Sequence, residues 1–329
     1  MLGSFRFILA WIVMLSHLPF SPFPYNFNPA VSAVVMFYFI SGYLMFFSFK
    51  KETLKRNAII KSALFFYLKR ILRIFPLYLI VLFLTVTVIY FFGPSQLIPL
   101  LNQHLSFDKL LLNAVLILNN YVFYPFEIKA LLPHPLIPPT WSLSTEWHFY
   151  LLVPFIFVVL YKRIKYLYAL FIFSLFIQLL AFSINTPYFN SDNFGYRYIF
   201  GVLWIFLFGF LYSCGKRTFF KLVYLFLIVY FMFIGFYFTS YVFVKEILLA
   251  ILFLPFIPKL LEFEFKYDKF FGSLSYPIFI SHFLVFLIVE KLGIRNKFFY
   301  FFTVFLILLL FSVLLSKIQE KIDLIRKKL

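Results

Sequence analysis

The sequence predicts an all-α protein that crosses a membrane about ten times, and three observations lead to this prediction. The chain of 329 residues is 64% hydrophobic and has a mean hydropathy of +0.97, whereas soluble domains are about 45–50% apolar. Apolar runs of about 17 to 20 residues recur along nearly the whole length, and each can cross a bilayer as a helix. The segments between them are too short for a soluble domain, so residues 1–329 are predicted to form one membrane domain.

The basic residues give the predicted helices a direction across the membrane. The net charge is +18, and Lys and Arg collect in cytoplasmic loops. If the amino terminus is cytoplasmic and residues 110–123 do not span the membrane, most Lys and Arg residues fall on the inner side and both termini are cytoplasmic. Nucleic-acid binding is not expected, because no basic face accompanies a soluble fold.

The predicted spans follow one another between polar or proline-rich interruptions. A proline-rich loop at 19–29 separates the first two spans, and the basic segment 50–73 is the strongest cytoplasmic anchor. Between 93 and 140 the chain is irregular, and its apolar stretch 110–123, about 14 residues long, suits a re-entrant or interfacial helix. A polar loop at 185–195 and several short basic turns bound the later spans. The ten spans are 5–18, 30–49, 74–92, 146–161, 166–183, 198–213, 219–238, 242–258, 273–290 and 298–316, and 317–329 is predicted to be a basic amphipathic tail on the inner leaflet.

Two polar side chains, Arg6 and His17, interrupt the first span. They are eleven residues apart, about three helical turns, so they share a face and lie roughly 16 Å apart, with Arg6 near the inner surface and His17 near the outer one. Ionisable groups inside a span are costly and commonly functional. A histidine that titrates near neutral pH is the usual general base for a hydroxyl. Snorkelling of Arg6 and an interfacial cap by His17 are the structural alternatives.

The fourth span begins with a second polar cluster. Ser142 or Ser144 is predicted to N-cap this helix, which puts Glu146 in its first turn, where the helix dipole favours a carboxylate. Capping alone is a sufficient reason for these residues. Glu146 is also predicted to lie at the outer depth of His17, and a carboxylate beside a histidine can orient it and stabilise its charged form.

Two further clusters lie near the predicted inner surface. Arg70 and Arg73 share a helix face, and they serve either membrane topology or an anion site for phosphates. Ser273 and Tyr276 are predicted at the inner mouth of the ninth span, and His282 near the middle of the membrane, facing a pore. The single cysteine, Cys214, cannot form an internal disulfide, and no metal-ligand spacing is present.

In this order, the clusters resemble the motifs of the acyltransferase 3 family of membrane proteins. The resemblance covers nearly the whole chain, and five motifs in order are far more specific than any one of them. Phe279 stands where the family often has tyrosine. The motifs are Arg6 with His17, then Phe39 to Leu44, Arg70 to Pro76, Trp141 to Tyr150, and Gly272 to His282.

The resemblance implies a membrane O-acyltransferase of the bacterial inner membrane. Its donor is cytoplasmic acyl-CoA, with acetyl-CoA as the default, its acceptor is a hydroxyl of an extracytoplasmic or lipid-linked glycan, and no cofactor or metal is permanently bound. An acyl-histidine intermediate is the alternative to general-base catalysis. The implied roles are His17 and Glu146 in catalysis, Arg6, Arg70, Arg73, Ser273 and Tyr276 in donor binding, and Ser41, Trp141, Ser144 and His282 along the substrate channel.

Two other functions fit the same composition. A transporter or flippase of a lipid-linked glycan also has about ten spans, a basic inner face and buried histidines. A catalytically silent membrane subunit is the other hypothesis. Dependence on an acyl donor separates the first two, and indifference to changes at Arg6 or His17 indicates the third. The sequence leaves the oligomeric state open.

Overall fold

The computed structural model describes a protein that is almost entirely helical, and the described residues contain no β-strand. These residues are 1–24, 26–56, 58–120, 134–160, 163–184, 186, 189–215, 217–237, 243–260 and 262–329. Their α-helices are α1 (Leu2–Ser16), α2 (Pro29–Arg56), α3 (Ile59–Phe92), α4 (Phe107–Ala114), α5 (Thr140–Phe155), α6 (Ile164–Ile184), α7 (Ile199–Ser213), α8 (Arg217–Tyr237), α9 (Val244–Phe253), α10 (Phe256–Lys259), α11 (Asp268–Lys291) and α12 (Lys297–Lys328).

Within the described residues, 7 helical segments are long and apolar enough to cross a membrane. They coincide with seven of the predicted spans, so the prediction of an all-helical, multi-pass membrane protein is confirmed. The predicted first, fourth and eighth spans correspond to shorter helices, α1, α5 and α9, so the count of ten and the sidedness of the termini stay predictions. The 7 segments are Pro29–Arg56, Ile59–Phe92, Ile164–Ile184, Asn193–Ser213, Phe220–Tyr237, Asp268–Lys291 and Lys297–Lys328.

The outer surface of the helix bundle is apolar, as lipid contact requires. On α8, Leu222, Val229 and Phe236 are 65%, 66% and 77% exposed. A large apolar surface of this kind is rare on a soluble monomer, because water makes it unfavourable. The same side chains are compatible with hydrocarbon, so this face of α8 is suited to contact the bilayer.

Several helices begin or end away from their predicted limits. The third predicted span started at 74, but α3 begins at Ile59, so the basic residues up to Arg73 belong to the helix. The predicted tail 317–329 is not a separate segment, because α12 continues to Lys328 and Gln319 Nε2 donates to the backbone oxygen of Leu72. The predicted helix at 110–123 is interrupted: α4 ends at Ala114, a 3-10 turn follows, and residues 121–123 lie outside the described residues.

Glycine allows close backbone contact at the crossing of α2 and α7. A Cβ atom on Gly42 would lie 1.9 Å from the backbone oxygen of Phe206, and one on Gly209 would lie 2.1 Å from that of Phe39. No larger residue fits there without separating the two helices, and small residues are the usual means of close packing between membrane helices. This crossing holds the middle of α2, which contributes Ser41 to the site below.

Helices α1 and α11 run side by side in the same direction. The carboxylate of Asp268, at the start of α11, accepts hydrogen bonds from the backbone nitrogens of Gly3 (3.0 Å) and Ser4 (2.7 Å) and from the Ser4 hydroxyl (2.8 Å). A carboxylate there satisfies free N–H groups at the start of α1. About two turns further along α11, the Ser275 hydroxyl donates to the backbone oxygen of Arg6 at 2.9 Å. These contacts fix α1 along its neighbour.

Candidate functional site

A narrow cavity of about 120 Å³ lies between α1, α2, α3, α5 and α11. Side chains from all five helices converge on it. Apolar residues such as Leu44 and Met45 line part of its wall. Six of the predicted site residues are also among the residues that line it: Arg6, Ser41, Arg70, Arg73, Glu146 and Tyr276.

The cavity concentrates positive charge. Arg6, Arg70 and Arg73 face a single lining carboxylate, that of Glu146. Within the described part of the chain, Arg6 and Arg70 have no carboxylate within ion-pair distance, while Arg73 Nη1 lies 3.6 Å from Asp323 Oδ2. Buried charges in membrane proteins are normally paired. The cavity is therefore suited to an anionic ligand.

Arg70 shows this deficit most clearly. Its Nη2 donates to the Ser48 hydroxyl at 3.0 Å. Its Nε is buried and has no hydrogen-bond partner among the described residues. A guanidinium presents several donors in a fixed fork that matches phosphate or carboxylate oxygens. A ligand oxygen in the cavity would satisfy the donor that the protein leaves unmatched.

Glu146 lies in this cavity, and it is not beside His17 as predicted. Its carboxylate accepts hydrogen bonds from the hydroxyls of Ser41 and Tyr150. The misplacement comes from the start of α5, which begins at Thr140 after two prolines, so Glu146 lies well inside the helix instead of in its first turn. The carboxylate therefore balances the arginines and does not orient His17.

The two serines predicted to cap α5 have other partners. Pro139 is the N-cap residue and makes no side-chain hydrogen bond there. The Ser142 hydroxyl donates to the backbone oxygen of Pro139 at 2.9 Å. The Ser144 hydroxyl donates to that of Ile117 at 2.6 Å, which ties α5 to the preceding 3-10 turn. The capping prediction was wrong, and Ser144 does not line the cavity.

His17 and His282 form a pair outside the cavity. His282 Nε2 lies 3.3 Å from His17 Nδ1, and the two rings are stacked with centroids 5.4 Å apart. His282 is fully buried, while His17 is partly exposed. Phe279 connects the two regions, because it lines the cavity and its ring lies edge-on to His282 at 6.4 Å. The sequence placed both histidines in the membrane but did not indicate that they meet.

A second, more open cavity of about 1190 Å³ lies where α1 and α11 begin. Arg6 and Arg73 line both cavities, so these two side chains stand between the wide cavity and the narrow one. Ser273, predicted at the inner mouth of this region, lines the wide cavity, and so does Asp323 from the end of α12. Asp323 was not singled out from sequence, because its helix was predicted to lie on the membrane surface.

Trp141 belongs to a different cluster. The Arg197 guanidinium carbon lies 4.5 Å from the centre of the Trp141 ring, a cation–π arrangement, and Arg197 Nε lies 2.8 Å from Asp192 Oδ1. Arg197 also interacts electrostatically with His17. Arg197 was not singled out from sequence, although Asp192 and the polar loop before it were a signal. Among the described residues, no group of three or more His, Cys, Asp or Glu side chains is placed to hold a metal ion.

Comparison with known proteins gives a family match over almost the whole chain. The model of the acyltransferase 3 family, described as "Acyltransferase domain", matches residues 2–317. A relative from Aquifex aeolicus (strain VF5), described as "Uncharacterized protein", is 32% identical over 211 residues, which are 59% of this chain and 90% of that relative. No solved structure matches the chain.

Proposed function

Because this chain belongs to the acyltransferase 3 family and is a multi-pass membrane acyltransferase, we propose that it transfers an acyl group from cytoplasmic acyl-CoA to a hydroxyl of an extracytoplasmic or lipid-linked glycan. Acetyl is the proposed acyl group, and the bacterial inner membrane is the proposed location. The observation that carries the proposal is the narrow cavity in which two partly buried arginines, Arg6 and Arg70, have no ion-pair partner among the described residues.

The two cavities fit the two chemically different parts of acyl-CoA. The wide cavity, lined by Arg6 and Arg73, suits the nucleotide with its phosphates, because arginine binds phosphate oxygens in pairs. The narrow cavity suits the pantetheine arm, since its wall combines apolar residues with polar groups such as Ser41. In this arrangement Arg70, further inside, binds a phosphate or the polar atoms of the arm. Ser273 and Tyr276 lie along the same route.

The proposed reaction takes place at His17. Its ring removes the proton of the acceptor hydroxyl while that oxygen attacks the thioester carbonyl carbon. The new carbon–oxygen bond forms, the carbon–sulfur bond breaks, and the CoA thiolate takes up the proton held by His17. Phe279, at the inner end of the path between the cavity and the histidine pair, must give way for the acyl group to pass.

Glu146 has a different proposed role from the one that the sequence indicated. It interacts electrostatically with Arg6 and with Arg70. One carboxylate among three arginines lowers the cost of burying them and still leaves the site attractive to anions. We therefore assign Glu146 to the donor site, where it holds the arginines in place through its own bonds to Ser41 and Tyr150.

The proposed function is tested by comparing surface glycans of cells with and without the gene by mass spectrometry. The expected result is a mass difference of one acyl group on one sugar residue. Purified protein in liposomes should then transfer labelled acetyl from acetyl-CoA to the glycan fraction of the deletion strain. Unmodified glycan accumulating on the wrong side of the membrane, with no need for an acyl donor, would support a flippase instead.

Asp323→Asn is expected to tighten donor binding. Asp323 pairs with Arg73 at 3.6 Å and with Arg326 Nη2 at 3.1 Å, and both side chains of the first pair are 24% exposed. Removing its charge frees Arg73 for a phosphate, so the KM for acyl-CoA should fall about twofold to fivefold, as a partly exposed ion pair of up to about 1 kcal/mol allows. Steady-state kinetics at fixed acceptor concentration measures this.

Glu320→Gln is the matched control for this change. Glu320 lines the same wide cavity and belongs to the same helix, but it makes no ion pair among the described residues. This variant should leave the KM for acyl-CoA within about twofold, because an unpaired surface charge contributes little. A rise in KM in Asp323→Asn would mean that Asp323 supports Arg73 instead of competing with the donor.

A further inference from the structure

The hydrogen bonding of His282 limits which of its nitrogens can carry a proton. Its Nδ1 lies 3.3 Å from the backbone oxygen of Ile278, one turn earlier in α11. A carbonyl oxygen only accepts, so this contact requires a proton on Nδ1. A neutral imidazole carries one proton, so its Nε2 is then an acceptor. Around the ring lie Phe283 (4.8 Å) and Phe286 (5.5 Å), whose side chains offer no competing acceptor.

The same reasoning then settles the contact with His17. His282 Nε2 faces His17 Nδ1 at 3.3 Å. Since the first atom is an acceptor, the second must carry the proton. The neutral His17 ring therefore has its lone pair on Nε2. The His17 ring also makes a hydrogen bond with the backbone of Val13, one turn earlier in α1, so the His282 variants described below measure the part that His282 itself contributes. Among the two rings, the partly exposed one keeps the free lone pair, and the fully buried one is held by the backbone.

We propose that His282 is a positioning residue that holds His17 as the Nδ1–H tautomer. His17 Nε2 is then the atom that removes the proton from the glycan hydroxyl. This inference rests on the proposed function, in which His17 is the general base. It assigns to His282 the orienting part that the sequence had given to Glu146. When His17 becomes protonated, the bond from its Nδ1 to His282 Nε2 also stabilises the imidazolium, as the third member of a catalytic triad does.

A purely structural role for His282 makes a different prediction. A buried histidine that only fills space can be replaced by an apolar residue of similar size with little effect on turnover of the folded protein. The positioning role needs an acceptor at the place of Nε2. Glutamine can present its amide oxygen there, whereas leucine cannot. The pair His282→Gln and His282→Leu therefore separates the two roles.

The kinetic test compares these two variants in protein that remains monodisperse in detergent. His282→Leu is expected to lower kcat about 10²-fold or more, because the His17 ring loses the partner that fixes its tautomer and orientation and that stabilises its imidazolium, whereas the KM for acyl-CoA stays within about twofold. His282→Gln should recover kcat to within about tenfold of the unchanged protein. Full turnover in folded His282→Leu, or equal loss in both variants with a raised KM, would overturn the proposal.

The tautomer itself is measured by nitrogen NMR of the full chain labelled with ¹⁵N-histidine. The chain has 5 histidines, and a His17→Gln sample identifies the His17 signals. The expected spectrum has a protonated Nδ1 and a bare Nε2 for His17, coupled to a bare Nε2 of His282. The opposite tautomer at His17 contradicts the proposal. This readout needs no turnover, so it stands apart from a failure of the proposed function, which would show as no transfer from any acyl-CoA. If His282→Leu does not fold, the NMR result on the unchanged protein decides.

Discussion

His17→Ala is expected to reduce acyl transfer by about 10²- to 10⁴-fold while the amount of protein in the membrane stays unchanged. A positioned general base contributes about 10²- to 10⁴-fold, and no other titratable side chain is hydrogen-bonded to His282 in the described part of the chain. His17 follows directly on the end of α1, so its removal does not interrupt that helix. Transfer of labelled acetyl from acetyl-CoA in liposomes measures the rate.

His104→Ala is the control for this variant. His104 is an exposed histidine in the segment before α4 and lines neither cavity. It should keep the full rate. Retained transfer in His17→Ala would remove His17 from the mechanism, although the family membership would stand.

The acyl-histidine alternative is distinguished by omitting the acceptor. If His17 is a general base, labelled acetyl-CoA alone leaves no label on the protein, because no acyl–nitrogen bond forms. If His17 is a nucleophile, the unchanged protein becomes labelled and His17→Ala does not. The tautomer proposed above makes Nε2 the reactive atom in either case, so this experiment tests the chemistry and leaves the geometry of the pair intact.

Much of the fold could be predicted from local sequence, because each span carries its own signal. Membrane helices are set by the length and apolarity of single segments, and the seven long helices matched such segments. The shorter helices were harder. The start of α5 was missed because its polar first turn resembles a loop in sequence, and with a cap at Ser142 or Ser144 Glu146 was wrongly predicted to lie in the first turn.

The sequence predicted which residues form the site better than it predicted how they contact one another. Arg6 was singled out because a charge in an apolar segment is conspicuous, whereas Arg70 and Arg73 were singled out by their shared helix face and by the family motif that they match. The structure brings all three to one cavity. The contact of His17 with His282 joins residues 265 positions apart. No periodicity encodes such a meeting, because it depends on how α1 and α11 pack. The role of Asp323 was missed for the same reason, since only tertiary packing brings α12 to Arg73.

Arg70→Gln is expected to raise the Kd for acyl-CoA about 10- to 100-fold and to leave acceptor binding within about twofold. Hydrogen bonds to charged groups contribute about 1.5–3 kcal/mol, and a tenfold change in affinity corresponds to about 1.4 kcal/mol. Arg70 is the strongest candidate because its Nε has no partner among the described residues and it forms no ion pair there. Binding of a non-transferable acyl-CoA analogue to purified protein, by calorimetry, measures the Kd without catalysis.

Two companion variants show whether charge, geometry or topology causes the loss. Lys61→Gln removes an exposed positive charge from the same helix, outside both cavities, and should leave the Kd for acyl-CoA unchanged. A weaker Kd in this control would mean that positive charge on α3 acts through membrane topology. Arg70→Lys keeps the charge but loses the planar fork, so it should fall between the unchanged protein and Arg70→Gln. Equal weakening of donor and acceptor binding in Arg70→Gln would mean that Arg70 supports the fold. A selective loss of donor binding in Arg70→Gln, absent in Lys61→Gln, would locate the anion site in the narrow cavity. That anion site is the reason for proposing acyl-CoA as the donor.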